Sequence, residues 1–297
     1  MENHTIPVVE LERFDFTIKR MEDIEAERRP DERPHRHAFY TIVFLAEGSG
    51  THTIDFVKYP MEAGNVFFVA PGQVHSVDVD TNGLRGYALM FNRGFLTSNG
   101  IRESFLEDLR LFGDCDDDSP VALTTAQMPR PIQIAEEMLD LEGCADPLQF
   151  EAIGALLKLF LIECLRAVRE RPEFSHHERF ANDSILRRFK RSVDEHFHRW
   201  HKVQDFAEAL NVSPGYLNEV VRTNLGKSAK QYLQERILLE SKRLALFSEV
   251  TAKEVAYKVG FEDQAHFSRF FKNQTGSSFS DWRSATLDFD NNSADLS

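Results

Sequence analysis

The segment from Val203 to Arg283 writes one helical pattern twice. At an offset of fifty residues Leu217 matches Phe267, Val221 matches Phe271, Arg222 matches Lys272, Gly226 matches Gly276 and Tyr232 matches Trp282. Similarity at a fixed spacing marks a duplicated supersecondary unit. Two short helical units, each with a basic polar face, predict two grips on one DNA duplex.

A net charge of −13 opposes a nucleic-acid partner until its distribution is read. Residues 1–183 hold 18 Lys and Arg against 33 Asp and Glu, and the tail 286–297 holds none against 3. Residues 184–285, which contain the repeat, hold 17 against 12. The basic excess sits where phosphates would be met. The length of 297 residues admits two domains. No apolar run approaches the ~20 residues of a membrane span, and Met1, Glu2, Asn3 and His4 do not begin a signal segment. A cytoplasmic protein with no membrane partner is expected. Cys115, Cys144 and Cys164 lack metal-ligand spacing and read as reduced thiols.

Residues 1–125 carry short β-branched and aromatic runs at 40–45, 51–56, 66–70 and 84–91, parted by turn residues such as Gly48, Gly50, Pro71 and Gly72. That spacing predicts a β-sandwich or barrel. From about Thr125 the period becomes helical. Ile132, Ala135, Met138 and Leu139 mark one helix; Ile153, Leu156, Leu157, Phe160, Cys164, Leu165 and Val168 mark a second. The second stripe suits a core face or a seam to another subunit equally well. Residues 126–170 are therefore expected to couple the domains or to form a homodimer, and in the second case Leu157→Glu would give monomers. Residues 171–183 read as a linker, in which Pro172 ends the helix and His176 and His177 are solvated. The acidic run 114–118 lacks calcium-loop spacing and reads as a solvated loop. The tail 286–297 is polar and acidic, with disorder expected.

In the first repeated unit, residues 203–210 predict a helix with Phe206, Ala207 and Leu210 inward, followed by a turn at Asn211 and Val212. Ser213 is the expected N-cap of the next helix and Pro214 its first residue. Leu217, Val220 and Val221 face the core, leaving Asn218, Glu219 and Arg222 outside. In the second unit Thr251 is the N-cap, Val255, Ala256 and Val259 point inward, and Gly260 makes the turn. Phe267, Phe270 and Phe271 then fill the core while Gln264, Ala265, Ser268, Arg269 and Lys272 stay outside. Residues 228–247 predict a connecting helix of about 30 Å. Successive major grooves on one DNA face lie ~34 Å apart.

Tyr232, Leu233, Arg236, Ala256, the run 259–264, the run 266–272, Gly276 and Arg283 together resemble the AraC/XylS family of bacterial transcription regulators over residues 184–285. The resemblance implies that the second helix of each unit reads bases. The residues it carries over are Gly215, Asn218 and Glu219, with Gln264, Ala265, His266, Ser268 and Arg269; Ser213, Arg222 and Lys272, read from capping and the exposed helix faces, complete the expected DNA-binding set. Two positions depart from the family. Phe279 stands where Pro is usual, and Glu219 stands where a basic or amide residue is common. Glu219 either accepts from cytosine N4 or repels phosphate.

His35, Arg36 and His37, followed by Gly64, Pro71, Gly72 and His75, resemble the two motifs of a cupin barrel and the sensor domains attached to such regulators. In metal-binding cupins two His, a Glu and a further His gather round one ion. His35, His37 and His75 would fill three of those places, but the Glu position falls near Thr41 or Ile42, and neither ligates as a carboxylate does. The expected role is therefore effector binding by His35, His37, Tyr40, His52, His75 and Arg85, with no cofactor. A metal at His35, His37 and His75 is the alternative.

The expected architecture is α+β and two-domain: a cupin-like barrel with a helical coupling segment, then an all-α double helix-turn-helix at 184–285. The expected function is sequence-specific transcription regulation gated by a small molecule. Promoter DNA, the effector and a second copy of the chain are its partners, and RNA polymerase is a further candidate. A metal-dependent cupin enzyme fused to a DNA-binding unit, and a helical adaptor that never touches DNA, are the rival readings.

Overall fold

The computed structural model describes residues 8–9, 15–27, 34–55, 57–80, 83–102, 105–106, 109, 111–112, 120–144, 146–170, 183–247 and 250–294. The chain divides into two units, one spanning Pro7–Phe174 and the other following from Ser175. The acidic run 114–118 and most of the expected linker, with His176 and His177, lie outside the described residues.

The N-terminal unit holds two five-stranded sheets. One runs in the order β1 (Val8–Val9), β3 (His35–His37), β8 (Val74–Val79), β5 (Ser49–Ile54) and β6 (Val57–Glu62). The other runs β10 (Val121–Ala122), β7 (Asn65–Val69), β4 (Tyr40–Glu47), β9 (Arg85–Phe91) and β2 (Phe16–Arg20). Val43, Leu45, Phe67 and Val69 of the second sheet meet Ile54 and Met61 of the first in one apolar cluster, which marks the interior between them.

The short helices α1 (Met21–Glu27) and α2 (Arg93–Ser98) follow β2 and β9, and the other face of the second sheet is covered too. Ile42, Phe44, Phe68 and Leu89 share a core with α3 (Pro129–Glu142) and α4 (Gln149–Arg169). Burial on both faces explains why β4 reads as an unbroken apolar run instead of an alternating one. Polar ties hold α3 in place: Arg20 of β2 donates from both terminal nitrogens to Glu136, at 2.7 and 2.6 Å, and the amide of Ile18 donates to Glu142. Those side chains are partly exposed, so the ion pair adds no more than ~1 kcal/mol, and apolar burial does most of the fixing.

Of the two expectations for the apolar stripe in residues 126–170, this packing favours the core face. The segment is part of the N-terminal core, and Ile153, Leu157, Phe160 and Cys164 are fully buried in it. A seam to a second subunit is not available at Leu157.

The C-terminal unit is helical: α5 (Asp183–His196), α6 (Val203–Ala209), α7 (Pro214–Leu225), α8 (Ala229–Phe247), α9 (Ala252–Lys258), α10 (Gln264–Thr275) and α11 (Phe279–Ala294). The last helix continues to Ala294, into the segment for which disorder was expected. Phe206, Ala207, Leu217, Val221, Val255, Ala256, Phe267 and Phe271 form its core. Arg236 on α8 ties α8 to α5, donating to Asp194 at 2.7 Å while its guanidinium lies 4.3 Å from the ring centre of Phe197. Among the described residues, no helix is long and apolar enough to cross a membrane.

Local chemistry sets the helix ends. Thr251 and Glu254 form a reciprocal capping box at the start of α9. Thr251→Ala is expected to lower the stability of the full chain's C-terminal transition by about 1 kcal/mol in urea unfolding. An unchanged midpoint would remove the box from the account.

Candidate nucleic-acid interface and histidine site

The two helix-turn-helix units agree at their backbone controls. Ser213 accepts from the Tyr216 amide and Asp263 from the His266 amide, so both second helices begin at a side-chain N-cap. Both end at a left-handed glycine, Gly226 at φ 70° and Gly276 at φ 80°. The first helices match at an offset of forty-nine instead of fifty. Val212 donates to Ala207 as Phe261 donates to Ala256, and the left-handed turn residues are Asn211 (φ 57°) and Gly260 (φ 89°). The second turn is thus one residue longer. Gly260 also has a packing reason: a Cβ there would sit 2.3 Å from the His198 carbonyl oxygen.

On α7, Gly215, Glu219 and Arg222 are exposed, as is the N-cap Ser213. Asn218 is half-buried, and its Oδ1 accepts from the Ala229 amide at 3.1 Å, capping α8. It is a structural residue first, which the helical pattern alone did not indicate. On α10, Gln264, Ala265, His266, Arg269 and Lys272 are exposed, with Ser268 half-buried. Tyr216, 43% exposed on α7, was missed. The repeat itself pairs it with His266 and could have found it. Phe279, where the resembled family usually has Pro, is the first residue of α11, a position that suits Pro, and here it packs on Phe271.

Connecting helix α8 has 19 residues, about 28 Å at ~1.5 Å each. That is close to the ~34 Å repeat of major grooves on one DNA face.

In the N-terminal unit, strand pairing gathers histidines. His35 lies directly opposite His75 between β3 and β8, and His37 points to the same face two residues on. His52 of β5 joins diagonally, because its neighbour but one, Ile54, is the residue opposite His75. Ring centres of His35 and His37 are 4.6 Å apart, of His35 and His75 4.6 Å, and of His37 and His75 5.0 Å. Nε2 of His52 lies 3.0 Å from Nδ1 of His75. Burial, with His35 nearby, pushes the His52 pKa down to about 3; burial and the other three rings hold that of His75 well below its ordinary value. Both rings are neutral at pH 7.

Two expected effector residues do not join this cluster. Tyr40 shares the helix-facing side of β4 with Ile42 and Phe44 and stacks on Phe91 at 5.4 Å. Arg85 starts β9 on the side shared by Tyr87 and Leu89; it is exposed and faces Glu47 at 3.6 Å. A one-residue change of register parity puts a side chain on the opposite face, and that excludes both from the interior. Thr41, the inward neighbour of Tyr40, is buried there instead.

A model of the AraC-like ligand binding domain matches residues 23–157, and one of a helix-turn-helix domain matches residues 206–285. The chain belongs to the AraC family of transcriptional regulators. Family relatives span nearly its whole length. The HTH-type transcriptional activator RhaS of Pectobacterium atrosepticum is 26% identical over 270 residues, 87% of this chain and 91% of that protein. The Msm operon regulatory protein of Streptococcus mutans is 25% identical over 276 residues, 92% of this chain and 94% of that protein. Among solved structures, the C-terminal domain of AraT, a response regulator from Geobacillus stearothermophilus, is 32% identical. It covers 34% of this chain and 84% of its own, with a TM-score of 0.33. This AraC-family member thus pairs a sheet-rich ligand-binding domain with a DNA-binding double helix-turn-helix.

Proposed function

We propose that this AraC-family protein binds specific promoter DNA through α7 and α10, and that a small molecule held inside the N-terminal unit sets that binding. The reading is carried by the equivalence of the two units: matched N-caps, matched left-handed C-caps and a bridging helix of near-groove length. Gly215, Tyr216, Glu219 and Arg222 face DNA in the first unit. Gln264, Ala265, His266, Ser268, Arg269 and Lys272 face it in the second, while Ser213 and Asn218 shape helix ends. Nothing would lie within 4 Å of a Cβ at Gly215, which fits a position kept clear for the duplex. The offset that pairs Glu219 with Arg269 reverses charge, so the second unit is the stronger reader.

His35, His37, His52 and His75 are the polar groups offered to the effector. The protein acts in the cytoplasm as a homodimer, with any seam on the partly exposed Leu156, Leu159 and Leu165 of α4. RNA polymerase is the partner through which activation would run, and catalysis is no part of this role.

Sequencing of genomic fragments captured by the full-length protein at near-physiological salt tests the reading, with enrichment at a few promoter regions expected. Absence of any enriched sequence, with or without metabolite extract, would overturn it. Arg269→Ala is expected to weaken binding to the captured site by roughly 5- to 150-fold, a ~1–3 kcal/mol base contact, and to relax choice at one base pair. Equal weakening on every sequence would make Arg269 a phosphate contact.

A further inference from the structure

The interior of the N-terminal unit holds more than DNA recognition or apolar packing requires. His35, His37 and His75 each offer one donor atom, and these atoms all lie within 4.8 Å of one another. The centre of such a triangle is at most about 4.8/√3 ≈ 2.8 Å from each donor. Zinc binds imidazole nitrogen at about 2.0–2.1 Å, so shifts of under ~1 Å would close the three rings on an ion.

The hydrogen bonding around His75 favours that use. Nδ1 of His75 contacts His52, while its Nε2 is buried with no hydrogen-bond partner among the described residues. With the proton on Nδ1, His75 donates to His52 and leaves its Nε2 lone pair to serve as the donor atom for an ion. A metal-bound histidine has the same division of labour, one nitrogen on the ion and the other held by an outer partner. A second buried group on the opposite sheet, the Thr41 hydroxyl, likewise has no partner among the described residues. The residues therefore fit an ion, although no carboxylate joins the set.

That missing carboxylate specifies the remaining chemistry. Three neutral imidazoles leave the charge of a divalent ion uncompensated in a site of low dielectric, where an anion is attracted strongly. Three protein ligands also leave a coordination position open.

We propose that His35, His37 and His75 bind one divalent transition-metal ion, that His52 positions His75, and that the effector is an anionic oxygen donor such as a carboxylate, taking the open position. This rests on the reading of the N-terminal unit as the effector-sensing domain.

The test uses the full-length protein, stripped with chelator and titrated with Co(II), whose visible absorption reports tetrahedral nitrogen coordination, and with Zn(II) in competition. One ion per chain is expected, lost in His75→Ala and in the half-exposed His35→Ala, with circular dichroism confirming that each variant is folded. His52→Ala is expected to keep the stoichiometry and weaken binding 10- to 100-fold, the usual effect of removing an outer-shell partner. Acetate added to the Co(II) form should shift the spectrum. A wild-type protein that takes up no ion, or folded His35→Ala and His75→Ala variants that both still take one up, overturns the metal site. A Co(II) spectrum indifferent to acetate overturns the anionic effector. Capture of genomic DNA by the same preparations separates the two levels. Sequence-specific capture by a protein that takes up no ion leaves the regulator standing and removes only the metal, whereas no capture in any state removes the regulator.

Discussion

Leu157→Glu is expected to unfold the N-terminal unit rather than to split a dimer. Leu157 is fully buried, in the core that joins α3 and α4 to the second sheet, among Ile134, Met138, Ile153 and Phe160. Truncating a buried leucine to alanine already costs about 2–5 kcal/mol. A carboxylate there adds the penalty of a buried charge, or of the proton needed to neutralise it. Typical domains have only about 5–15 kcal/mol in total, so little or no folded unit should remain. Circular dichroism and thermal melting of the full chain check this, with loss of the N-terminal transition and an aggregation-prone product expected. A chain that melts like wild type and sediments at half its mass would reinstate the seam and sink the packing described here.

The second large effect is expected at Gly260. Alanine there must hold φ 89°, where a Cβ costs roughly 1–2 kcal/mol, and must also displace the His198 carbonyl, 2.3 Å from that Cβ. His201 restricts the adjustment, because its Nε2 is 2.9 Å from the Val259 carbonyl oxygen. A loss of several kcal/mol from the C-terminal unit is expected, with DNA affinity falling as α9 and α10 lose their mutual angle. Asn211→Gly, at the equivalent turn of the first unit, removes strain and is expected to change stability by no more than about 0.5 kcal/mol. Similar urea midpoints for Gly260→Ala and wild type would contradict the account.

Much of the paired helix-turn-helix was legible because its determinants are local. Ser213, Thr251, Gly226 and Gly276 announce helix ends within three or four residues of themselves, and the fifty-residue repeat checks each unit against the other. The exception, Asn218, is instructive. Its exposure follows from helical period, but its bond to Ala229 depends on how α7 meets α8, eleven residues away. The histidine site was half legible. The motifs named His35, His37 and His75, and periodicity allowed His52, but Tyr40 and Arg85 came with them because the face each one occupies depends on strand register.

By itself, the sequence determined two domains, a doubled helix-turn-helix with its caps and turns, the basic excess of residues 184–285 and the identity of the clustering histidines. These follow from φ preferences, capping and charge, which act over a few residues. Only the tertiary structure decided that Ile153, Leu157, Phe160 and Cys164 of α4 lie in the core of their own unit, that Thr41 and not Tyr40 faces the interior, and that Nε2 of His52 meets Nδ1 of His75. Each of those depends on contacts between segments distant in the chain, where burial selects one partner among many of similar hydrophobicity and local pattern is silent.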